Sequence, residues 1–379
     1  MPRKSLGVAC IAVVGLLVGA ASPVGAALDI DPPVSYGVPP SGDMIGLGGA
    51  INDAGMVVGS SDFFGDPDNH AYQFFSDAAP QPLGEPAGYT ESSAWGLNAS
   101  GVAVGVVLKD GVDPDVVHDA AIWAPASAPA LLPAVATGDS YAFAINDAGT
   151  VVGGHSNETE TVLSAVTWPS GGAPVVLDPL GNPIAQAIDI NNSGVVVGFA
   201  GSVSGTAPMV WVPGDAPLTL PTLGGTEAVA TGINDDGVVV GAAKTPGDAA
   251  IHLFRWTVAG GLEDLGAPPG GIPDVFLGEL AGPLGPEVNS LGQITVIAGS
   301  SSVNGYVWAD DDGFTKLPPL PGASDISYVL NLNNAGQVVG TAATGGAFSA
   351  AVWQIQQPDP PDPPTPGSTG SDTRSRPEL

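Results

Sequence analysis

One nine-residue pattern recurs along the chain and constrains its fold more than any other feature. An apolar residue precedes Asn, a Gly follows three residues after the Asn, and a short β-branched run comes next. The first copy runs from Ile51 to Gly59, and successive copies lie 46, 48, 45, 43, 55 and 44 positions apart. The seven motif asparagines are Asn52, Asn98, Asn146, Asn191, Asn234, Asn289 and Asn333.

The motif predicts a β-hairpin. An Asn side chain accepts hydrogen bonds from backbone N–H groups just after it and so starts a turn, and Gly adopts positive φ without steric cost. A type I turn that ends in a left-handed Gly produces a bulged hairpin with the twist of a sheet. Asp53, Asp147 and Asp235 directly follow motif asparagines, and we interpret them as turn formers.

Two further elements follow the hairpins, and the second of them is missing after the last hairpin. The first is a short alternating segment that ends in an aromatic residue, which predicts a third strand whose ring packs between neighbouring sheets. The second is a Leu-Pro or Leu-Gly type of step, which we interpret as part of a fourth strand. The aromatic residues are Phe75, Trp123, Trp168, Trp211, Trp256, Trp308 and Trp353, and the steps begin at Leu83, Leu132, Leu177, Leu220, Leu265 and Leu317.

Four short strands about every 45 residues are typical of propeller blades. The sequence therefore predicts an all-β fold, a seven-bladed β-propeller of four-stranded antiparallel blades, over residues 27–356. The segment Val34–Val38 precedes the first hairpin, and we expect it to complete the last blade and close the ring. An open β-solenoid is the structural alternative.

The long interval after Asn234 predicts an insertion near Gly270 to Pro286 on one face, where a function is expected.

These motifs resemble the HAF-repeat extracellular proteins of bacteria. The Ile-Asn-Asp-x-Gly core stands at 51–55, 145–149 and 233–237, and a His-Ala start stands at His70. The resemblance covers roughly Val34 to Trp353. It implies export and a repeated β-architecture, and it implies no particular reaction.

The two ends of the chain differ from the repeats. Arg3 and Lys4 precede an apolar run from Leu6 to Ala21 and small residues near Ala26, which predicts a signal peptide over residues 1–26 and a secreted or cell-surface protein. An uncleaved anchor is the alternative. Residues 357–379 are rich in Pro, Asp, Ser and Thr, and we expect a Pro-rich disordered tail.

The charge balance narrows the choice of partners. The chain has 38 acidic and 8 basic residues, a formal net charge of −30. Nucleic acid and anionic membrane surfaces both require a basic face, so neither is expected as a partner, and no membrane insertion is expected. The single cysteine, Cys10, lies in the signal, so the mature chain is expected to have no disulfide or thiolate metal site.

No catalytic residue, cofactor site or metal site is assigned from the sequence. His70, His118 and His252 occupy one repeat position and are expected to be structural, and His155 is expected in an exposed loop. Two acidic stretches are interpreted as solvated turns, with calcium binding as the alternative. These stretches are Asp62, Asp66, Asp68 and Asn69, and Asp310, Asp311 and Asp312.

The sequence favours a non-enzymatic secreted propeller that binds an unidentified protein or glycan. One alternative is a structural envelope or matrix component. The other is a carboxylate-dependent, glycan-active enzyme, which would require two carboxylates in a pocket, one with a raised pKa. The carboxylates outside the repeat pattern are the candidates for such a pair: Glu85, Glu91, Glu158, Glu160, Glu263 and Glu279.

Overall fold

The computed structural model consists almost entirely of β-strands. It describes residues 28–39, 47–61, 69–109, 117–157, 163–202, 204–277, 285–299, 303–322, 327–344 and 347–356. The predicted signal peptide and the predicted tail lie outside these residues. Two short 3-10 helices, Pro246–Asp248 and Asp274–Leu277, complete the described elements. No helix in the described ranges is long and apolar enough to cross a membrane.

The described strands are numbered in chain order. They are β1 (Val34–Gly37), β2 (Leu47–Ile51), β3 (Val57–Ser60), β4 (Ala71–Phe74), β5 (Gln81–Pro82), β6 (Glu91–Leu97), β7 (Ala103–Lys109), β8 (Val117–Trp123), β9 (Ala130–Leu131), β10 (Ser140–Ile145), β11 (Val151–Ser156), β12 (Leu163–Trp168), β13 (Val175–Val176), β14 (Ile184–Ile190), β15 (Val196–Ser202), β16 (Gly205–Trp211), β17 (Leu218–Thr219), β18 (Ala228–Ile233), β19 (Val239–Lys244), β20 (Ile251–Thr257), β21 (Gly261–Gly266), β22 (Glu287–Val288), β23 (Ile294–Ala298), β24 (Asn304–Ala309), β25 (Gly313–Lys316), β26 (Ser327–Leu332), β27 (Gln337–Thr344) and β28 (Ala347–Gln354).

Antiparallel pairing between successive strands joins them into sheets. Four sheets contain four consecutive strands each: β2 to β5, β6 to β9, β18 to β21 and β22 to β25. A fifth four-stranded sheet has the order β1-β28-β27-β26. The strands β10 to β17 form one larger sheet, in which β12 and β14 meet through a single parallel pair, Leu163 and Ile184. The predicted all-β fold with four-stranded antiparallel sheets is confirmed.

Each motif asparagine starts a tight turn between the strand that ends just before it and the next strand in the chain. In the first turn, Gly55 N donates to Asn52 O at 2.9 Å, and Asn52 N donates to Met56 O at 3.1 Å. Gly55 has a φ of 76°, and the equivalent glycines of all seven turns have φ between 75° and 80°. A side chain with a Cβ would be strained in this region of φ, which explains why Gly recurs there.

The asparagine side chains link the turns into a ring. Asn52 Oδ1 accepts from Ala54 N and Met56 N within its own turn, while Asn52 Nδ2 donates to Asn98 O in the next turn at 3.1 Å. Every motif asparagine donates in this way to the carbonyl of the following one, at 2.9 to 3.2 Å. Asn333 donates to Asn52, so the series closes on itself.

The N-terminal strand lies in the same sheet as the last strands of the chain. Strand β1 pairs antiparallel with β28, with Val34 opposite Val352, and Ile30 forms a further antiparallel bridge with Ile355. The predicted role of the segment from Val34 as the strand that completes the last sheet is confirmed. Residues from the two ends of the folded region therefore share one hydrogen-bonded ladder.

The tryptophans form a second seam between neighbouring sheets. In four cases the indole Nε1 donates to the carbonyl of the Leu-step residue one repeat earlier in the chain, at 2.8 or 2.9 Å. Trp168 and Trp353 are fully buried by this packing. The predicted packing of the aromatic rings between sheets is thus observed. The pairs are Trp123 with Gly84, Trp168 with Pro133, Trp211 with Asp178, and Trp353 with Pro318.

The predicted insertion is part of the core. Ile272 and Leu277 are 7% and 1% exposed and belong to the largest buried apolar cluster. Lys244 Nζ lies 3.1 Å from Glu227 Oε2 and 3.9 Å from Asp274 Oδ1, which connects the insertion to β19. These two residues therefore belong to the core beside β19, and the expectation that the long interval carries a function stays a prediction.

We expect Asn234→Ala to destabilise the fold. The change removes the bond from Asn234 Nδ2 to Asn289 O and leaves the backbone N–H groups of Asp236 and Val238 without their acceptor. The loss should be about 2 kcal/mol or more in the free energy of unfolding, measured with urea. Asn182→Ala, in an exposed turn, is the control. A loss no larger than in the control would contradict the role of the ring.

Leu277→Ala is expected to cost about 2–5 kcal/mol in the free energy of unfolding, since it leaves a cavity in the core. Leu180→Ala, at a side chain that is 49% exposed, is the matched control. If the two variants unfolded at the same urea concentration, the insertion would not contribute to the core.

Candidate functional site in the channel

The motif turns enclose a cavity of about 210 Å³. All seven turns contribute to its wall, as the closed series of asparagine bonds requires. We call this cavity the mouth. The channel is the axial space behind it, between the strands that lead into the motif turns: β2, β6, β10, β14, β18, β22 and β26.

A second ring of polar residues surrounds the mouth, one position after the motif asparagines. Asp147 Oδ1 accepts from Ala99 N, and Asp235 Oδ1 accepts from Asn192 N, both at 2.8 Å. Asn192 Nδ2 donates to Asp147 Oδ2 and to Asp235 Oδ2, both at 3.0 Å. These aspartates, together with Asp53, therefore connect neighbouring turns. Their interpretation as local turn formers is corrected.

Two carboxylates lie deeper, on the channel strands β14 and β22. Asp189 and Glu287 both stand two positions before a motif asparagine. Asp189 Oδ2 accepts from Ile233 N at 2.8 Å, across the boundary between β14 and β18, and Asp189 Oδ1 accepts from Ile190 N at 2.7 Å. Both side chains keep partial exposure although protein surrounds them.

Gly232 on β18 makes room for this pair. A Cβ at Gly232 would lie 3.1 Å from Glu287 Oε2 and 3.0 Å from Pro286 O, closer than such contacts normally are. Gly232 occupies the same repeat position as Asp189 and Glu287, on the strand between theirs. The other residues at this position are Ala50, Gly96, Ala144 and Asn331, so among the seven strands only β14 and β22 place an acid there.

Burial and nearby negative charge raise the pKa of both carboxyl groups. For Asp189 burial is the main cause, the hydrogen bonds from Ile233 and Ile190 oppose it, the charge of Asp235 adds to it, and the resulting pKa is about 6. Burial and the nearby charge of Asp189 raise the pKa of Glu287 well above its usual range. Both carboxyl groups therefore resist ionisation more strongly than an exposed Asp or Glu does. Neighbouring carboxyl groups with raised pKa values are suited to acid–base chemistry.

The carboxylates proposed from the sequence do not form this pair. Glu85 Oε1 lies 2.9 Å from His70 Nδ1, Glu263 forms an ion pair with Arg255 at 2.7 Å, and Glu91 is buried in β6. Glu158, Glu160 and Glu279 lie outside the described residues. The sequence search missed Asp189 and Glu287 because it excluded residues inside the repeat.

The histidines contact separate carboxylates. His118 Nδ1 lies 3.0 Å from Asp139 Oδ2, and His252 Nδ1 lies 2.8 Å from Asp264 Oδ1, as His70 lies beside Glu85. They do not converge on one site, as expected from their shared repeat position. His155 was expected in an exposed loop, and this is wrong. It lies in β11, is 7% exposed, and its Nδ1 is 2.9 Å from the carbonyl oxygen of Asp139.

The proposed calcium stretches provide no cation site among the described residues. Asn69 is buried and donates to Ser93 Oγ at 2.7 Å, and Asp310 pairs with Arg255 at 2.9 Å. Asp62, Asp66 and Asp68 lie outside the described ranges. No group of three or more His, Cys, Asp or Glu in the described part of the chain is arranged to hold a metal ion.

The fold is shared with solved β-propeller structures. Puromycin hydrolase superposes with a TM-score of 0.55 at 15% identity, over 87% of this chain and 55% of that chain, so this chain spans about half of its length. Virginiamycin B lyase from Staphylococcus aureus has a TM-score of 0.54 at 8% identity, covering 87% and 99%. YCF48 bound to D1 peptide has a TM-score of 0.52 at 13% identity, covering 88% and 98%. No family model and no curated protein matches the chain.

These comparisons correct the functional expectation drawn from the sequence. A non-enzymatic binding or surface protein was expected because the fold is a rigid ring without a familiar catalytic motif. The same fold occurs in chains described as a hydrolase and a lyase, so the ring does not argue against catalysis. The acid pair on β14 and β22 weakens the second ground, since raised carboxyl pKa values are common at functional sites.

Glu287→Gln is expected to stabilise the protein in a pH-dependent manner. The folded-state pKa of Glu287 is raised, so the folded state binds more protons than the unfolded state above the ordinary Glu pKa of about 4.3, and stability falls as pH rises from there towards the folded-state value. Gln imitates the neutral carboxyl group and avoids this penalty. The melting temperature should exceed that of the wild type at about pH 8 and match it at about pH 4.

Asp215→Asn, in an exposed turn, is the control for this measurement. A difference between Glu287→Gln and wild type that is the same at both pH values would show that Glu287 is not held protonated by the fold.

Proposed function

We propose that the chain is a seven-bladed β-propeller enzyme in which Asp189 and Glu287 form a general acid–base pair. The blade count rests on dividing the large sheet into β10 to β13 and β14 to β17. Only the pair of Leu163 and Ile184 joins these halves, and each half repeats the strand order of the other sheets. Seven motif turns in one closed series of hydrogen bonds support the same division.

The pair has a defined division of roles. Asp189, with a pKa of about 6, acts as the base, and Glu287, whose pKa burial and the charge of Asp189 raise well above its usual range, acts as the acid. The hydrogen bonds from Ile190 and Ile233 hold the Asp189 carboxylate in a fixed orientation. Two carboxyl groups on the strands that flank Gly232, both with raised pKa values, are the observation that carries the proposal.

The reaction that fits these roles is hydrolysis of an ester or amide. Asp189 takes a proton from water as the water oxygen bonds to the carbonyl carbon. Glu287 gives its proton to the leaving oxygen or nitrogen as the bond from that atom to carbon breaks. The proton on Asp189 then returns to Glu287, directly or through water, and the pair regains its starting state. The likeness to a hydrolase and a lyase supports the choice of an acid–base reaction through fold alone.

The proposal places this enzyme outside the cell. The basic start, the apolar run and the small residues before Ala27 support export after cleavage of residues 1–26. The repeat motifs support membership of the HAF-repeat extracellular proteins. The net charge of −30 supports substrates and partners other than nucleic acid.

The test uses the mature chain and a panel of chromogenic esters and anilides. Turnover should rise through an apparent pKa of about 6, as Asp189 ionises. Asp189→Asn and Glu287→Gln should each lower kcat/KM by about a hundredfold or more, because each removes one proton-transfer group. Melting curves must show that both variants are folded.

Asp147→Asn at the mouth is the matched control, since it keeps an acceptor for Ala99 N and removes a charge outside the pair. Its turnover should stay close to wild type. The proposal fails if the panel shows no turnover above buffer, or if turnover persists in both pair variants.

A further inference from the structure

The channel strands carry an aromatic wall three positions before two of the motif asparagines. Trp95 on β6 and Phe143 on β10 stack with ring centroids 5.5 Å apart and planes inclined by 26°. Tyr141 stacks on Phe143 at 6.3 Å with planes inclined by 4°. Trp95 is the one tryptophan outside the seam between sheets, and it keeps partial exposure. The other residues at this position are Gly49, Ile188, Thr231, Pro286 and Leu330.

The acid pair occupies the repeat position next to that of the aromatic wall, but on different strands. Asp189 and Glu287 stand one residue further along, on β14 and β22, whereas the aromatic wall is on β6 and β10. The aromatic wall and the acid pair therefore lie on different strands of the ring. No Lys or Arg occurs among the described residues of the channel strands or in the motif turns.

A hydroxyl group beside Glu287 points to a missing partner. Thr295 on β23 is directly opposite Glu287 in the β22–β23 ladder, so the two side chains lie on the same face. Thr295 is 1% exposed, and its Oγ1 has no hydrogen-bond partner among the described residues. Leaving such a group unsatisfied costs about 1–3 kcal/mol, so a ligand or water that bonds to it is favoured.

We propose that the channel binds a primary ammonium group attached to an aromatic ring, with the nitrogen among Asp189, Glu287 and Thr295 and the ring against Trp95 and Phe143. An ammonium group has three N–H donors, which match two carboxyl groups and one hydroxyl oxygen. Stacked aromatic faces attract both a ring and a nearby cation. The absence of cationic side chains from the described channel lining favours a positively charged guest.

This inference names the substrate class of the proposed enzyme and so rests on the same site. It predicts that the leaving or acyl part of a good substrate carries an arylalkylammonium group. The site of recognition and the reacting pair overlap at Asp189 and Glu287. Trp95 and Thr295 belong to recognition alone, which allows binding and catalysis to be separated by mutation.

The test is calorimetric titration of the mature chain with benzylamine at about pH 8, where the amine is still mainly protonated, and with benzyl alcohol as a neutral analogue of similar shape. Benzylammonium should bind saturably, and benzyl alcohol should bind about tenfold or more weakly, because charge-assisted bonds are the stronger ones. Equal affinities, or no saturable binding of benzylammonium, would overturn the inference.

Variants locate the site. Trp95→Ala and Thr295→Val should each weaken benzylammonium binding, by about tenfold for the loss of the aromatic face, while Trp95→Phe should retain most of it. Trp256→Phe, on β20 outside the channel strands, is the control and should bind as wild type. Unchanged binding in both Trp95→Ala and Thr295→Val would place the amine elsewhere and refute the inference.

The binding and turnover measurements fail independently. If benzylammonium binds as expected while Asp189→Asn and Glu287→Gln leave turnover unchanged, the proposed acid–base function is wrong and the binding site stands. If turnover depends on both carboxyl groups while benzylammonium does not bind, the enzyme stands and the substrate class is wrong.

Discussion

The rest of the structure depends on the hydrogen bonds of one side chain, the motif asparagine. Its oxygen accepts from the backbone N–H groups that close its own turn, and its nitrogen donates to the carbonyl of the next turn. Asp would supply the oxygen without the donor, and Ser would be too short to do both. The residue that forms the hairpin therefore also sets the position of the neighbouring hairpin. The side-chain oxygen and nitrogen of the motif asparagine thus couple the folding of each hairpin to the assembly of the sheets.

Closure of the ring limits how far this coupling can relax. The series of asparagine bonds returns from Asn333 to Asn52. Strand β1 pairs with β28 and forms the outer edge of the sheet that contains β26 and β27. The tryptophan seam adds contacts between sheets further from the axis, as Trp168 does with Pro133. A distortion at one boundary must be absorbed by the others. Such a scaffold can hold a locally unfavourable group, since the group cannot separate two sheets without breaking several bonds.

Much of the scaffold could be predicted from the sequence because each predicted element has a local physical cause. The positive φ of Gly55 follows from the turn, and the burial of Trp168 follows from the size of its ring. The pairing of β1 with β28 could be inferred because the repeat count leaves one strand unmatched at each end. The ring of asparagine bonds is different. It depends on distances between turns that are 43 or more residues apart, and a repeated Asn alone does not report them.

The acid pair was missed for a related reason. Asp189 and Glu287 occupy a repeat position that four of the other strands fill with Ala or Gly and one with Asn, and a search outside the repeat passes over them. The signal was present: an acid at a position that holds an uncharged residue in every other repeat has no role in the repeat itself. Only the structure shows that Gly232, between the two acids in the ring, leaves room for Glu287 beside it. A residue that differs in type from the others at its repeat position is therefore more informative about function than a long interval between repeats.

The same argument explains why the pair is a better functional candidate than the acids at the mouth. Asp147 and Asp235 each accept hydrogen bonds that connect neighbouring turns, so their charge has a structural use. Glu287 sits where burial and Asp189 both oppose its ionisation. Replacing it with a neutral residue would relieve that penalty without breaking a bond of the ring. A group that costs stability and supports no part of the scaffold is expected where its chemistry is used.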